Sequence, residues 1–489
     1  MKNDFNILFI VIDALRARNL GCYGYNKSIS PNIDRLAKES LLFENAYSCT
    51  NATDSSLTSI FSGRHPLSHG IISHFKYVDE NSLKYFIASG TKLLPEILKQ
   101  KGYKTLAIDW LGRWHKRGYD YYSGAVARSK LYRIKRRLFR SSFDRYLRLL
   151  SRSYAHYIKS SLDKNALEIT YQAMKLIKKN RNKFFLFLHY WDLHMPYAPP
   201  TRYFNSNKGI QNHINSTFLD QITINKVLRP SNYSRYPPNY YVPTDRITQE
   251  HIQRYEATIR YIDDQIGKLI NFLEKNHLTE KMLIIITSDH GESLIEHGIY
   301  FDHHGLYDVS IHVPLIMNYT WFPKGKRIKG MVQHIDIMPT LLEMISKTSE
   351  KYNMDGKSFL SIIFGEQEDF HKVILAFEEL VQRRAAIRTE NYKYIFAPTK
   401  NKTLCRYCKR IHNRNEELYD LKRDPNELKN ISYQTPDLKN ELKEKLVNWL
   451  ENFEFYRTFV KEQPSTSETH ILDEQDEIIM KKLQDLGYI

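Results

Sequence analysis

The sequence contains few cysteines and no long hydrophobic segment. Four of its 489 residues are cysteine, which excludes a small fold held together by disulfides. No apolar run reaches the roughly 18 residues that a membrane-spanning helix needs. The apolar run at residues 7–12 is too short for the core of a secretory signal peptide, and no small-residue cleavage site follows it. We therefore expect a cytoplasmic protein.

Two of the cysteines, Cys405 and Cys408, form a C-x-x-C pair, and His412 follows four residues later. A structural zinc site usually has four protein ligands, whereas this segment offers three. We therefore favour free thiols over a zinc site at this position.

The chain is strongly basic, with a formal net charge of +17. Such a charge suggests a nucleic acid, an anionic membrane or an acidic substrate as partner. Residues 113–152 hold thirteen Lys or Arg and two Asp, a net of +11. Apolar residues recur among these cations, which predicts one or two amphipathic basic helices inserted in the main fold. The segment has no nucleic-acid-reading motif, so we expect no clear nucleic-acid partner. Peripheral membrane contact and a solvated helical face both stay open.

Short apolar runs alternate with longer segments of helical spacing, such as residues 30–40 and 254–275. This alternation predicts an α/β fold with a mostly parallel central sheet flanked by helices. The runs that predict strands cover residues 7–12, 105–108, 184–188, 283–287 and 313–317.

The pattern changes after about residue 350. The segment RRAAIRTENYKYIFAP alternates like an antiparallel strand, and a polar helix is predicted at residues 435–451. We therefore expect a larger domain over residues 1–350 and a smaller C-terminal α+β subdomain over residues 351–489. Within the larger domain we expect a basic helical insertion at residues 113–170 and a loop insertion at residues 203–248.

Residue types that bind metals follow two of the predicted strands. Asp13 comes directly after the first strand, and Asp289 and His290 follow the strand at residues 283–287. Ligands bind at the carboxyl ends of strands in such sheets, and these side chains offer oxygen and nitrogen donors. A single Asp after a strand is more often a helix cap, so the predicted metal site depends on the joint pattern.

Histidines and carboxylates also cluster in two further segments. HYWDLHMPY places His189, Asp192 and His194 at the end of the strand at residues 184–188. EHGIYFDHHGLYD brings His303 and His304 just before the strand at residues 313–317. Both segments can supply contacts to a substrate or a metal.

The segment NATDSSLTSIFSGRHPLSHG offers candidate nucleophiles, because it starts a predicted helix with Thr53, Asp54, Ser55 and Ser56. A hydroxyl at a helix N-terminus beside a metal loses its proton more easily and faces an anion-binding pole. The same residues also fit a helix N-cap, which is the commoner explanation. The segment by itself leaves both interpretations open.

Together these segments resemble the sulfatase family of the alkaline phosphatase superfamily. The resemblance implies an alkaline-phosphatase-like fold and a metal-dependent hydrolase of sulfate or phosphate esters. Residues 113–170 and 203–248 lie outside it. The matching segments, in family order, are NILFIVIDALRARNLGCYGY, SPNIDRLAKES, TDSSLTSIFSGRHPLSHG, LHYWDLHMPYAPP, ITSDHGESLIEHG, HHGLYDVSIHVPLIM, QHIDIMPTLLEMI, IRTENYKYI, ELYDLKRDPNELKNI and KKLQDLGYI.

The resemblance implies that Asp13, Asp289 and His290 bind a divalent metal, with the Thr53 oxygen as a further ligand. Many relatives carry a second Asp where this chain has Ala14, so one ligand is missing. The donor set suits manganese or zinc better than calcium or magnesium, and the metal's identity stays open.

Typical sulfatases convert the Cys of a C-x-P-x-R motif to formylglycine, and this motif is absent here. The family's Gly-Arg lies ten residues beyond the nucleophile, and counting back from Gly63 leads to Thr53. Cys49 lacks the following Pro and Arg. We therefore expect no formylglycine. A threonine nucleophile resembles the branches of the superfamily that transfer phosphoryl groups or cleave phosphodiesters and phosphonate monoesters.

The resemblance also implies substrate contacts. His194 matches a histidine that contacts the anionic group, and His303 matches a residue that helps the leaving group depart. Arg64 and His304 are further candidates for binding the substrate. Asp192, His194 and His303 are alternatively the ligands of a second metal.

Two other functions stay open at this point. One is a transferase that moves a phosphorylated head group onto a glycan or lipid. The other is a non-catalytic family member that binds an anionic polymer or a membrane. The expected partner of the enzyme is an anionic ester, such as one on a glycan or a lipid head group.

Overall fold

A computed structural model of the chain describes residues 5–123, 165–205, 245–346, 352–397 and 415–461, apart from 182, 196 and 368. Several predicted features lie outside the described residues. These are the basic helices within residues 124–164, most of the loop at 203–248, the Cys405, Cys408 and His412 group, and the terminal KKLQDLGYI segment.

Eight strands form the central sheet, in the order β5-β4-β6-β1-β7-β8-β2-β9. Of these strands, β8 alone runs against the others. The strands of this sheet are β1 (Asn6–Ile12), β2 (Leu41–Phe43), β4 (Lys104–Ile108), β5 (Tyr121–Ser123), β6 (Phe184–Tyr190), β7 (Met282–Thr287), β8 (Leu315–Asn318) and β9 (Arg327–Ile328). A separate two-stranded ladder joins β3 (Ala46–Tyr47) to β10 (Val332–Gln333).

Helices cover both faces of the sheet because the side chains of its central strands are apolar on both sides. Along β1, Ile7 and Phe9 pack into the layer that contains α2, α4, α5 and α10, while Leu8 and Ile10 pack into the layer of α1, α6 and α8. The helices are α1 (Pro31–Ala37), α2 (Thr53–Ser62), α3 (Pro66–His69), α4 (Glu80–Ala88), α5 (Leu94–Gln100), α6 (Ala166–Lys179), α7 (Thr201–Asn205), α8 (Asp245–Lys275), α9 (Asp308–Ile311), α10 (Ile337–Ile345), α11 (Leu360–Phe364) and α12 (Pro436–Glu451).

The C-terminal part of the chain forms its own antiparallel sheet in the order β11-β12-β13-β14, with α12 packed against it. The strands are β11 (Ile374–Glu378), β12 (Arg384–Arg388), β13 (Tyr392–Phe396) and β14 (Glu416–Asp420). The predicted fold class is thus confirmed, and the alternating segment before residue 397 is a hairpin of β12 and β13.

The predicted insertion at residues 113–170 starts and ends with residues of the main fold. A 3-10 turn, Arg113–Lys116, leads into β5 at the edge of the central sheet, and α6 begins at Ala166.

The predicted strand at residues 313–317 is shifted to Leu315–Asn318 and runs antiparallel to β7. Among the described helices, none is both long and apolar enough to cross a membrane.

A buried lysine joins the C-terminal sheet to α9 of the larger domain. Lys393 on β13 is fully buried, and its Nζ lies 2.7 Å from Glu427 Oε1 and contacts Asp308 at the start of α9. The Asp308 backbone N–H donates to Glu427 Oε2 at 2.7 Å, and Arg388 on β12 pairs with Asp308 at 3.3 Å. Removing one member of such a buried group leaves the others without compensation.

We therefore expect Lys393→Met to lower the free energy of unfolding by about 3–5 kcal/mol, because Asp308 and the buried Glu427 lose the cation that faces them both. Urea denaturation measures this loss. The matched control is Lys445→Met, which removes a lysine from an exposed pair with Glu441 and should cost less than about 0.5 kcal/mol. Equal losses in the two variants would contradict this role of Lys393.

Candidate active site

Four adjacent parallel strands end at one edge of the central sheet, and each contributes a polar side chain there. Asp109 follows β4, His189 lies near the end of β6, Asp13 follows β1, and Asp289 comes two residues after β7. All four are buried. The register pairs Val11 with His189 on one side and with Thr287 on the other, so these strand ends lie level with one another.

The ends of β1 and β7 are tied together by backbone donors. Ala14 adopts a left-handed conformation, with φ of 58°, and its N–H donates to Asp289 Oδ1 at 3.2 Å. The Leu15 N–H donates to Ser288 Oγ at 2.9 Å. This turn holds the carboxylates of Asp13 and Asp289 on the same side of the sheet edge.

His290 presents one ring nitrogen to these carboxylates. Its Nδ1 lies 2.7 Å from the Gly291 carbonyl and donates to it, which leaves Nε2 facing inward. His290 Nε2 lies 3.3 Å from Asp289 Oδ2 and 3.7 Å from Asp13 Oδ1. Gly291 is required next to it, because a Cβ there would lie 2.1 Å from the Val309 carbonyl oxygen.

The residues at this edge fit a divalent cation. Donor atoms of Asp13, His189 and Asp289 all lie within 4.8 Å of one another. Asp289 Oδ2 is a buried atom that no hydrogen bond within the described residues satisfies. Burial alone would raise the pKa of Asp289, but the nearby His290 and His189 hold it below its ordinary value. An ionised carboxylate with a free oxygen beside nitrogen donors is suited to a metal.

Thr53 is the first residue of α2 and is buried against this edge. Its Oγ1 lies 3.3 Å from His290 Nε2, so the predicted nucleophile and three predicted metal ligands do come together. The Ser56 hydroxyl, one helical turn later, is already used in a hydrogen bond: its Oγ donates to the Asp289 backbone carbonyl at 2.6 Å.

Asp54, the next residue of α2, is surrounded by basic side chains. His74 Nδ1 and His115 Nε2 each lie 3.0 Å from its carboxylate oxygens, and Arg113 forms a close ion pair with it. Although burial opposes ionisation, His74 and His115 keep the pKa of Asp54 well below its ordinary value. One buried carboxylate therefore organises three cationic or titratable groups beside Thr53.

His303 and His194 complete the histidine cluster. The rings of His303 and His290 stack with centroids 4.1 Å apart, and His194 lies 5.9 Å from His303. His303 Nδ1 donates to the Asn51 carbonyl at 2.6 Å. Burial and the neighbouring His290 lower the pKa of His303 to about 3. The ring is therefore neutral near pH 7, with a lone pair on Nε2.

The C-terminal sheet supports this cluster through Glu378 on β11. The Glu378 carboxylate accepts a hydrogen bond from the Asn51 side-chain amide and another, at 2.8 Å, from the Gly305 N–H. Asn51 and Gly305 flank His303 from two separate segments. The smaller subdomain thus fixes the position of a side chain in the site.

Arg64 and His304, the two further candidates for binding the substrate, make their observed contacts with residues other than Thr53. Arg64 was predicted as a substrate clamp, but it follows the opposite end of α2, about 15 Å along the helix axis, and binds Thr91 Oγ1 at 2.5 Å. The length of the helix separates the two side chains, so this position does not support Arg64 as a clamp on the ester. His304 Nδ1 lies 3.5 Å from Asp302 Oδ2.

The alternative second metal site is not assembled as a donor cluster within the described residues. Asp192 Oδ1 accepts a hydrogen bond at 3.0 Å from the Ala166 N–H at the start of α6. His194 Nδ1 lies 2.8 Å from the Met195 carbonyl, and its contact with His303 is through the rings.

Sequence reasoning missed several residues of the site. Arg113 and His115 fall within the predicted basic insertion, so sequence reasoning counted them as part of its positive charge and did not consider them as residues of the site. Asp109 directly follows a predicted strand, so the rule that placed Asp13 also applies to it. His74 lies in no recognisable pattern, and only the tertiary structure brings it to Asp54.

Two family models match the chain. A model described as Sulfatase matches residues 5–346, more than half of the chain. A model described as N-sulphoglucosamine sulphohydrolase, C-terminal, matches residues 295–454.

The N-acetylglucosamine-6-O-sulfatase of Bacteroides thetaiotaomicron is 24% identical over 503 aligned positions, which cover 87% of this chain and 82% of that protein. Human iduronate 2-sulfatase is 28% identical over 335 positions, covering 64% and 59%.

Solved structures share the fold. A protein in complex with its substrate D-glucosamine-2-N,6-O-disulfate superposes with a TM-score of 0.67 at 20% identity, covering 94% of this chain and 100% of that one. The phosphonate monoester hydrolase of Agrobacterium radiobacter superposes with a TM-score of 0.66 at 16% identity, covering 92% and 96%.

We expect Asp54→Asn to lower the free energy of unfolding at pH 7 by about 3 kcal/mol or more, because Arg113 loses its buried countercharge. Since folding lowers the pKa of Asp54, its contribution is complete above the unfolded value near 3.8 and declines only below it. Urea denaturation at pH 7 measures the loss. The matched control is Asp79→Asn at the N-cap of α4, where Asn caps equally well. An Asp54→Asn chain as stable as the wild type would contradict the charge cluster.

Proposed function

The chain belongs to the sulfatase family, and we propose that it hydrolyses sulfate or phosphate esters, phosphodiesters and phosphonate monoesters included, with Thr53 as the nucleophile. The observation that carries the proposal is the position of the Thr53 hydroxyl. It stands at the N-terminus of α2, with Oγ1 3.3 Å from His290 Nε2, beside the carboxylates of Asp13 and Asp289.

Formylglycine chemistry finds no support in the residues at this position. The helix begins with a threonine, and Cys49 lies four residues earlier in the chain. The Cys49 side chain is fully buried, and this burial raises the pKa of its thiol well above the usual range. The side chain that faces the metal-binding carboxylates is therefore the Thr53 hydroxyl.

Positive charge beside Thr53 is suited to an anionic ester. Arg113 and His115 converge on Asp54, one residue from the nucleophile, and the first N–H groups of α2 add the positive end of the helix dipole. Asp54 balances part of this charge. We propose that these groups, with His194, bind the non-bridging oxygens of the ester.

The proposed metal ligands are Asp13, Asp289, His290 and the Thr53 oxygen. A divalent metal such as manganese, zinc or calcium, when bound, polarises the ester oxygens and lowers the pKa of the nucleophile. The buried Asp289 oxygen and the inward-facing His290 nitrogen support this assignment.

In the first half-reaction, Thr53 Oγ1 forms a bond to sulfur or phosphorus while the bond to the ester oxygen breaks. The proton of Thr53 ends on the departing alcohol. In the second half-reaction, water attacks the Thr53 adduct and restores the hydroxyl. We propose that His303 Nε2, which carries a lone pair because Nδ1 donates to the Asn51 carbonyl, takes one proton of this water and passes it to the Thr53 oxygen as the adduct bond breaks. In the first half-reaction we keep the role that the family resemblance implies for His303, which is to help the leaving group depart.

The names of the relatives narrow the first substrates to test. Two relatives are named for sulfated sugars, and one protein of the same fold is a phosphonate monoester hydrolase. We propose an anionic ester of a glycan or of a lipid head group as the substrate class. The alternative function is a transferase, which would pass the sulfuryl or phosphoryl group to an alcohol in place of water. In that case a label on the transferred group would move from the ester to the added alcohol.

Thr53→Ala should lower kcat by about a thousandfold or more, because the adduct can no longer form. Circular dichroism and urea denaturation should be close to those of the wild type. Turnover is measured on an aryl sulfate, a phosphate monoester, a phosphodiester and a phosphonate monoester in parallel.

The matched control is Ser55→Ala, which removes a buried hydroxyl two residues further along the same helix. It should retain most of the activity. Full activity of Thr53→Ala would rule out Thr53 as the nucleophile. A strong preference for the aryl sulfate over every phosphorus ester would instead contradict the expectation that a threonine nucleophile favours phosphorus.

A further inference from the structure

We propose that His189 is an additional ligand of the metal and that Asp109 is the positioning residue that orients it. The inference rests on the proposed metal site at Asp13 and Asp289. It adds a nitrogen donor from the end of β6, whose residues the sequence left open as contacts to a substrate or a metal.

His189 lies where a ligand is needed. It is the sixth residue of β6, paired with Val11 of β1, and its buried Nε2 lies 3.8 Å from Asp13 Oδ2. Two donors that bind one metal at 2.0–2.3 Å are roughly 3–4.5 Å apart, and the donor atoms of His189, Asp13 and Asp289 all lie within 4.8 Å. Because Ala14 follows Asp13, β1 supplies a single carboxylate.

Asp109 determines which ring nitrogen of His189 faces the metal site. His189 Nδ1 lies 2.8 Å from Asp109 Oδ1. That oxygen also accepts the Trp110 N–H at 2.7 Å, and Oδ2 accepts a hydrogen bond from the Tyr122 hydroxyl. Because the Asp109 carboxylate accepts this hydrogen bond, His189 Nδ1 is its donor, and Nε2 is the ring nitrogen that faces Asp13. A carboxylate that orients a metal-binding histidine in this way is a common arrangement.

The alternative is a doubly protonated His189 that forms ion pairs with Asp109 and Asp13. In that case Nε2–H would be expected within hydrogen-bond distance of Asp13. The observed 3.8 Å exceeds the range of such bonds, and no hydrogen bond from the described residues reaches His189 Nε2. A cation between the nitrogen and the carboxylates accounts for both observations.

The assignment has a consequence for the choice of metal. With His189 and His290, two imidazole nitrogens face a site that otherwise contains oxygens. Imidazole suits zinc and other transition metals, whereas calcium and magnesium prefer oxygen ligands. His189 should therefore make the site select a transition metal over calcium.

The test measures metal binding by the full-length chain after removal of metals, with Mn²⁺ and Ca²⁺ as probes. His189→Ala should weaken Mn²⁺ binding by about 10–100-fold, and Asp109→Asn by about tenfold. Ca²⁺ affinity should fall less, so the ratio of the two Kd values should narrow. Pulsed EPR of bound Mn²⁺ should detect two coordinated imidazoles in the wild type and one in His189→Ala.

The matched control is His371→Ala. His371 Nε2 lies 2.8 Å from the buried Asp336, so it forms a histidine–carboxylate pair of the same length as that of His189 and Asp109, and its variant should bind Mn²⁺ as the wild type does. His189→Asn serves as a second variant if His189→Ala fails to fold. Unchanged Mn²⁺ affinity and two imidazoles in a folded His189 variant would overturn the inference and leave the proposed function intact. A wild type that binds neither Mn²⁺ nor Ca²⁺ would overturn both.

Discussion

The common ending of four adjacent parallel strands is the constraint on which the site depends. Ladder hydrogen bonds hold β4, β6, β1 and β7 in register, so that Val11 lies opposite both His189 and Thr287. A slip of one residue would turn every side chain of a strand to the other face of the sheet. Close packing of β1 on both faces opposes such a slip, because the slip would move Phe9 from its own layer into the opposite one. Core packing therefore also positions the carboxylates of the site.

Buried charge in this protein is compensated locally. Asp54 balances Arg113 beside Thr53, and Lys393 is paired with Asp308 and Glu427 where the C-terminal sheet meets α9. An isolated charge in either place would be very costly. Donor atoms of the buried Asp13, His189 and Asp289 all lie within 4.8 Å of one another. Two buried carboxylates this close repel each other, and a divalent metal would relieve that repulsion.

The smaller subdomain contributes to the geometry of the site as well as to stability. Glu378, on a strand of the C-terminal sheet, holds Asn51 and the Gly305 N–H, and Asn51 in turn accepts the hydrogen bond from His303. The two sheets therefore act as one unit around the histidine cluster. This explains why residues far apart in the chain, such as 51, 303 and 378, depend on each other for position.

The sequence by itself determined the α/β fold, the separate C-terminal sheet and the placement of Asp13, Asp289 and His290 after strands, because strand and helix periodicities and strand-end positions are local patterns. Thr53 was singled out through the family resemblance. Only the tertiary structure decided that Arg64 lies away from Thr53 and that His74 and Arg113 converge on Asp54. Those contacts join distant segments through side chains whose directions no local period encodes. Asp109 was readable from its strand end, but its bond to His189 follows from strand order, which parallel pairing sets and sequence spacing does not.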